Sequence, residues 1–170
     1  MLSPRITVNP AIVGAIAAAS KVGNLQKSIS WPPQQPLFSF QPGTGSGQMD
    51  EWFDDIRTLA DGANESLDLS GSSQADFTGV ALAFAHVKLL GIYADPANTT
   101  DLTVGNGTNP FLGALGAGAN TLILKPGELH MFVRPVTGYP VVGGASDILK
   151  IANGAGAAAK YTILIGGTSV

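Results

Sequence analysis

From residue 49 onward the chain repeats one pattern: short apolar runs with alternating neighbours, separated by clusters of Gly, Pro, Asn and Asp. In the run 128–134 (ELHMFVR), Leu129, Met131 and Val133 fall on one side and His130, Phe132 and Arg134 on the other. In 160–166 (KYTILIG), Ile163 and Ile165 interleave with Thr162 and Leu164. Successive side chains of an extended strand point to opposite faces, so this period predicts strand rather than helix. Similar runs, rich in β-branched and aromatic residues, lie at 51–59, 64–69, 82–93, 99–105, 120–124 and 146–152. The run 82–93 (LAFAHVKLLGIY) is apolar on both faces, which predicts a central strand covered on each side.

The segments between these runs carry turn chemistry. Pro126-Gly127, within KPGE, fits the two central positions of a type II turn, where glycine supplies the positive φ. About eight short strands joined by Gly- and Pro-rich turns predict an all-β fold. The expected architecture is an antiparallel β-sandwich of the jelly-roll kind over residues 49–170.

Residues 1–48 read differently. Asn9 as N-cap, Pro10 at the first helical position and Gly23 beyond predict a short helix in the small-residue run 10–20. The stretch SISWPPQQPLFSFQPGTGSGQ then holds Pro32, Pro33, Pro36 and Pro42, which exclude a helix interior or central strand. It is read as an extended polyproline arm followed by a flexible GTGSG tether. Trp31, Pro32, Pro33, Leu37, Phe38 and Phe40 are the expected partner-binding positions, because aromatics on an extended arm have no core of their own. AIVGAIAAA (11–19) has the make-up of a leader core with Arg5 ahead of it. Its shortness and Pro10 argue against both a leader and a membrane span.

Composition sharpens this picture. Charged residues are 12% of the 170, with nine basic and twelve acidic side chains and a net charge of −3. That is about half the usual charged share, so much of the surface is expected to be covered by other protein. The scattered Lys and Arg form no basic stripe, which argues against nucleic acid or an anionic membrane as partner. With no cysteine, disulfides and thiolate chemistry are excluded.

No catalytic, cofactor-binding or metal-ligating set emerges, and the chain is read as not an enzyme. His86 and His130 lack metal-site spacing and are read as packing or interface residues. Asp54 and Asp55 are adjacent on a strand, so they face opposite ways and cannot form a catalytic pair. The glycine-rich stretches 113–120 and 141–146 lack dinucleotide and P-loop spacings. They are read as loops and close subunit contacts, with Gly116, Gly118, Gly143 and Gly144 the expected contact points. Asn-x-Ser/Thr triplets begin at Asn64, Asn98 and Asn106, and carry little weight.

The succession RTLADGANESLDLSG, FAHVKLLGIYADPANTTDLTVGNG, LKPGELHMFVRP and DILKIANGAGAAAKYTILIGGTS resembles tailed-bacteriophage virion proteins, especially jelly-roll capsid decoration, or cement, proteins. The resemblance spans about residues 50–169 and is one of layout. It implies a homo-oligomer, a trimer rather than a dimer, made in the bacterial host cytoplasm. It would sit on the capsid exterior and clamp neighbouring subunits of the major capsid protein. The alternative is a receptor- or carbohydrate-binding β-sandwich of a tail fibre or spike. The position of Trp31 and Trp52, outside the long loops, argues against sugar stacking.

Overall fold

The computed structural model describes residues 6–8, 12–20, 23–31, 38–71, 73–76 and 78–170, with side chains described from Phe40 onward. The described residues are all-β, without helix. They divide into two compact units, Met1–Gln41 and Pro42–Val170.

The first unit contains β1 (Ile6–Val8), β2 (Ile12–Ser20), β3 (Gly23–Trp31) and most of β4 (Phe38–Pro42). β1 pairs antiparallel with β4. β2 and β3 pair antiparallel from Ile12 opposite Trp31 to Ser20 opposite Gly23. The short helix expected over 10–20 is therefore not formed over its described residues, 12–20. Its residues lie in β2, where Ile12, Val13 and Ile16 are stiff at χ1 and Gly14 weakens a helix interior. Pairing with β3 supplies a complete ladder, a long-range partner that overrides the local cap signal.

The second unit runs through β5 (Gln48–Met49), β6 (Glu51–Leu59), β7 (Asn64–Asp68), β8 (Gln74–Ala75), β9 (Ala81–Leu82) and β10 (His86–Ala94). It continues through β11 (Leu102–Gly105), β12 (Thr121–Leu124), β13 (Leu129–Val133), β14 (Tyr139–Pro140), β15 (Ile148–Asn153) and β16 (Ala159–Thr168). Every run read as a strand from its pattern carries one. Within the run 82–93 Leu82 closes β9 and the long strand begins only at His86, and Lys88 sits where the register slips between Val87 and Leu89.

Two antiparallel sheets form the body. One has the order β13-β10-β16-β6, with β14 also paired to β10, and the other has the order β12-β11-β15-β7. The pairings are nested: β6 with β16, β7 with β15, β10 with β13 and β11 with β12. β10–β16 and β11–β15 then join these pairs into sheets. Alternate residues of both sheets enter one core, including Phe53, Leu90, Ile92, Ile163 and Ile165 from the first and Leu67, Leu102, Leu124, Leu149 and Ile151 from the second. Burying each such side chain contributes about 1.5–3 kcal/mol, which is what fixes the strand registers. The turn between β12 and β13 closes as its sequence requires: Gly127 has φ 84° and the Glu128 amide donates to the Lys125 carbonyl at 2.9 Å.

Candidate interaction surface

The outward face of the five-stranded sheet is built from three cross-strand rows fixed by the register. Val133, Leu89, Gly166 and Trp52 form the first, Met131, Gly91, Leu164 and Asp54 the second, and Leu129, Tyr93, Thr162 and Ile56 the third. Nearly all of these are apolar, although they point away from the core. An apolar outer face requires a cover or a partner.

The chain itself covers the first row. Met49 packs where a Cβ on Gly166 would stand, 2.7 Å from its sulfur, and Leu89 is wholly buried. The cover is pinned by Lys88, only 2% exposed, whose Nζ donates to the carbonyls of Gly45 (2.5 Å) and Gln48 (2.8 Å). Burial of an ammonium costs several kcal/mol unless hydrogen bonds replace its water, and these two carbonyls supply that replacement. Burial pulls the Lys88 pKa below its ordinary value, with the Asp50 charge opposing. The Gly47 amide donates to the Pro135 carbonyl at 2.9 Å, and Gln48 Oε1 accepts from the Gly45 amide at 2.7 Å. The stretch read as a flexible tether is thus a hydrogen-bonded latch, in which a Cβ on Gly43 or Gly45 would stand 2.7 or 2.8 Å from Gln48 Oε1 and Gly47 supplies a φ of 69°.

The other two rows stay open, with Ile56 62%, Leu129 57% and Met131 39% exposed. Asp54 is the only charged residue in the rows and accepts a hydrogen bond from Trp52 Nε1 at 2.9 Å. Asp55 faces the other way and pairs with Arg57 at 3.0 Å, so the two carboxylates are separated as their adjacency requires. Next to the latch, Glu51 is raised to about 6 by burial, then by the charges of Asp50 and Asp76. One of its carboxylate oxygens is buried without a hydrogen bond.

The residues expected to bind a partner fall as follows. Pro32, Pro33 and Leu37 lie outside the described residues, while Trp31 and Phe38 belong to β3 and β4 with their side chains outside the description. Phe40 is 1% exposed in the single chain, so its ring is already out of water without a partner. Gly116 and Gly144 have φ of 80° and 73° and open space where a Cβ would stand. A turn requirement inside the chain accounts for both. Gly118 approaches the Pro110 ring and Gly143 the Ser70 hydroxyl. His86 lies on β10, and His130, on β13, stands 3.6 Å from Glu128. Among the described residues no three His, Asp or Glu side chains gather as a metal site. Sequence reading missed Lys88 as an anchor, and its one signal was a lysine inside an otherwise apolar run.

Comparison with known proteins adds no relative: no family model, curated protein or solved structure matches the chain.

Proposed function

We propose that the protein is a structural virion protein of a tailed bacteriophage, attached to the capsid exterior as a homo-oligomer and clamping neighbouring major capsid subunits. The observation that carries this reading is the half-covered outer face of the five-stranded sheet, where Leu129, Met131 and Ile56 continue a surface the chain has begun to cover. A low charge content points the same way, since a well-solvated monomer of this size needs more. The body is read as a jelly-roll β-sandwich. Numbered 1 to 8 in chain order, β6, β7, β10, β11, β12, β13, β15 and β16 form sheets ordered 6-3-8-1 and 5-4-7-2. A four-rung nested hairpin rolled on itself produces that order, an architecture used in viral capsid and lectin domains. Residues 1–41 are read as the strap that engages a neighbouring capsid subunit, in the manner of an added strand.

The test is cryo-EM of phage particles assembled with the full chain, with residues 42–170 alone, and without either. Density outside the lattice at subunit junctions is expected for the full chain and lost or depleted for the truncated one. No exterior density with the full chain overturns the capsid reading. Equal decoration by the truncated chain overturns the strap.

A further inference from the structure

The four-stranded sheet carries a different kind of surface. Asn64 and Ser66 on β7 and Ile148 and Lys150 on β15 form the floor of an open cleft of about 620 Å³, walled by residues 106–109. Lys150 stands directly opposite Ser66 in the ladder. Leu67 and Leu149 point inward to the core, so these floor residues point outward. The wall is held rigidly: the Asn109 carbonyl accepts from the amides of Asp147 (3.1 Å) and Ile148 (3.0 Å), and the Phe111 amide donates to the Ile148 carbonyl (2.8 Å). Gly107 lets it lie close, since a Cβ there would stand 3.2 Å from that of Lys150. Asn106 and Asn109 adopt the left-handed φ values 53° and 49° at the two ends of the wall.

The polar groups of this cleft are unspent. Among the described residues the side chains of Asn64, Ser66, Asn106, Thr108, Asn109 and Lys150 have no hydrogen bond or ion pair with the rest of the chain. Two Asn-x-Ser/Thr triplets, 64–66 and 106–108, meet here from opposite sides. Amides and hydroxyls in a preformed cleft match the donors and acceptors of a polyol. Lys150 is the one charged lining residue, and no carboxylate opposes it. We propose that this cleft binds a saccharide unit bearing a carboxylate, with the acid group on Lys150 Nζ and the ring hydroxyls on the asparagine amides. A peptide fits less well, since Ile148 is the single apolar side chain in the lining for an anchor. The cleft lies on the opposite sheet from the attachment surface, so this inference stands whether or not the capsid reading does.

The test is an amide-resolved NMR titration of the full chain with trigalacturonic acid, galactotriose and acetate. Trigalacturonic acid is expected to shift the amides of 64–66, 106–109 and 148–150 saturably. Galactotriose should bind about tenfold or more weakly, the worth of a charged hydrogen bond. K150Q should lower acid-sugar affinity by a similar factor, and N64A should weaken binding of both trisaccharides. N64A also serves as the reporter if K150Q does not fold. Equal binding of both trisaccharides, acetate shifting the same amides at the same concentration as the acid sugar, or no shifts with any of the three would overturn the proposal.

Discussion

Tyr161 and Glu65, 96 residues apart in sequence, are joined by a hydrogen bond in which the buried phenol donates to Oε1 at 2.5 Å. Arg57 Nη1 holds the other carboxylate oxygen at 2.5 Å. The trio ties β6 and β16 to β7, where the outermost strands of the two sheets meet. Burial first, and then the Glu65 hydrogen bond and charge, push the Tyr161 pKa far above its ordinary value against the opposing Arg57 charge.

Alkaline stability follows from that shift. The native state keeps a proton that the unfolded chain loses at about pH 10, so stability falls as pH rises beyond it. Tyr161→Phe should cost about 1–2 kcal/mol at neutral pH, because Glu65 loses a donor. It should also have a shallower decline between about pH 9 and 11 in urea titrations. Parallel declines for the two proteins would refute the linkage.

Lys88→Met should release the latch. The carbonyls of Gly45 and Gln48 lose their shared donor, so hydrogen exchange at the amides of 43–49 should accelerate by about tenfold or more while the sheet ladders stay protected. The lowered pKa of Lys88 has its own sign. The unfolded chain binds the proton more tightly, so this group makes stability rise as pH climbs towards the ordinary lysine value of about 10.4. The variant should lose that contribution.

Glu51→Gln should raise the melting temperature at neutral pH. With its pKa raised to about 6 against an ordinary 4.5, the folded Glu51 holds a proton that the unfolded chain has released. Its contribution therefore falls as pH rises through that window and stays low above it. Melting curves at about pH 4.5 and 7 should differ less for the variant than for the parent, and an unchanged difference would count against the assignment.

Gly167→Ala tests the join between β10 and β16. An added Cβ would stand 2.2 Å from the His86 carbonyl oxygen and 2.8 Å from the Phe84 ring. Backbone has to move, and a loss of about 3 kcal/mol in denaturant titrations is expected.

Leu129→Lys combined with Met131→Lys places two cations on the open rows without touching the core. Under the proposed assembly, light scattering should show a smaller species than the parent while circular dichroism stays the same. An unchanged mass would move the subunit contact elsewhere.

Strand positions were legible because alternation is local: β6, β12, β13 and β16 each announce themselves within a few residues. The hairpin of β2 and β3 was not, since Asn9-Pro10 imitates a helix start and only the pairing with 23–31 reverses it. The all-apolar run around β10 did announce cover on both faces. What covers its outer side, the 43–49 segment, depends on a lysine reaching backbone carbonyls about forty residues earlier, which no window of sequence displays. The polar cleft is legible only in hindsight. Asn64 and Ser66 share a face because they are two apart on a strand, but their meeting with 106–109 is set by the fold.

The latch has a mechanical consequence. β6 enters the sheet beside the end of β16, with Glu51 opposite Gly167 and Asp50 accepting from the Ser169 amide at 3.0 Å. Tension arriving through the preceding segment would peel β6 away one rung at a time, the weakest way to load an antiparallel ladder. Lys88 and the Gly47–Pro135 hydrogen bond lie ahead of that first rung and must give way first. They act as a strain relief, like the grip where a cable enters a plug.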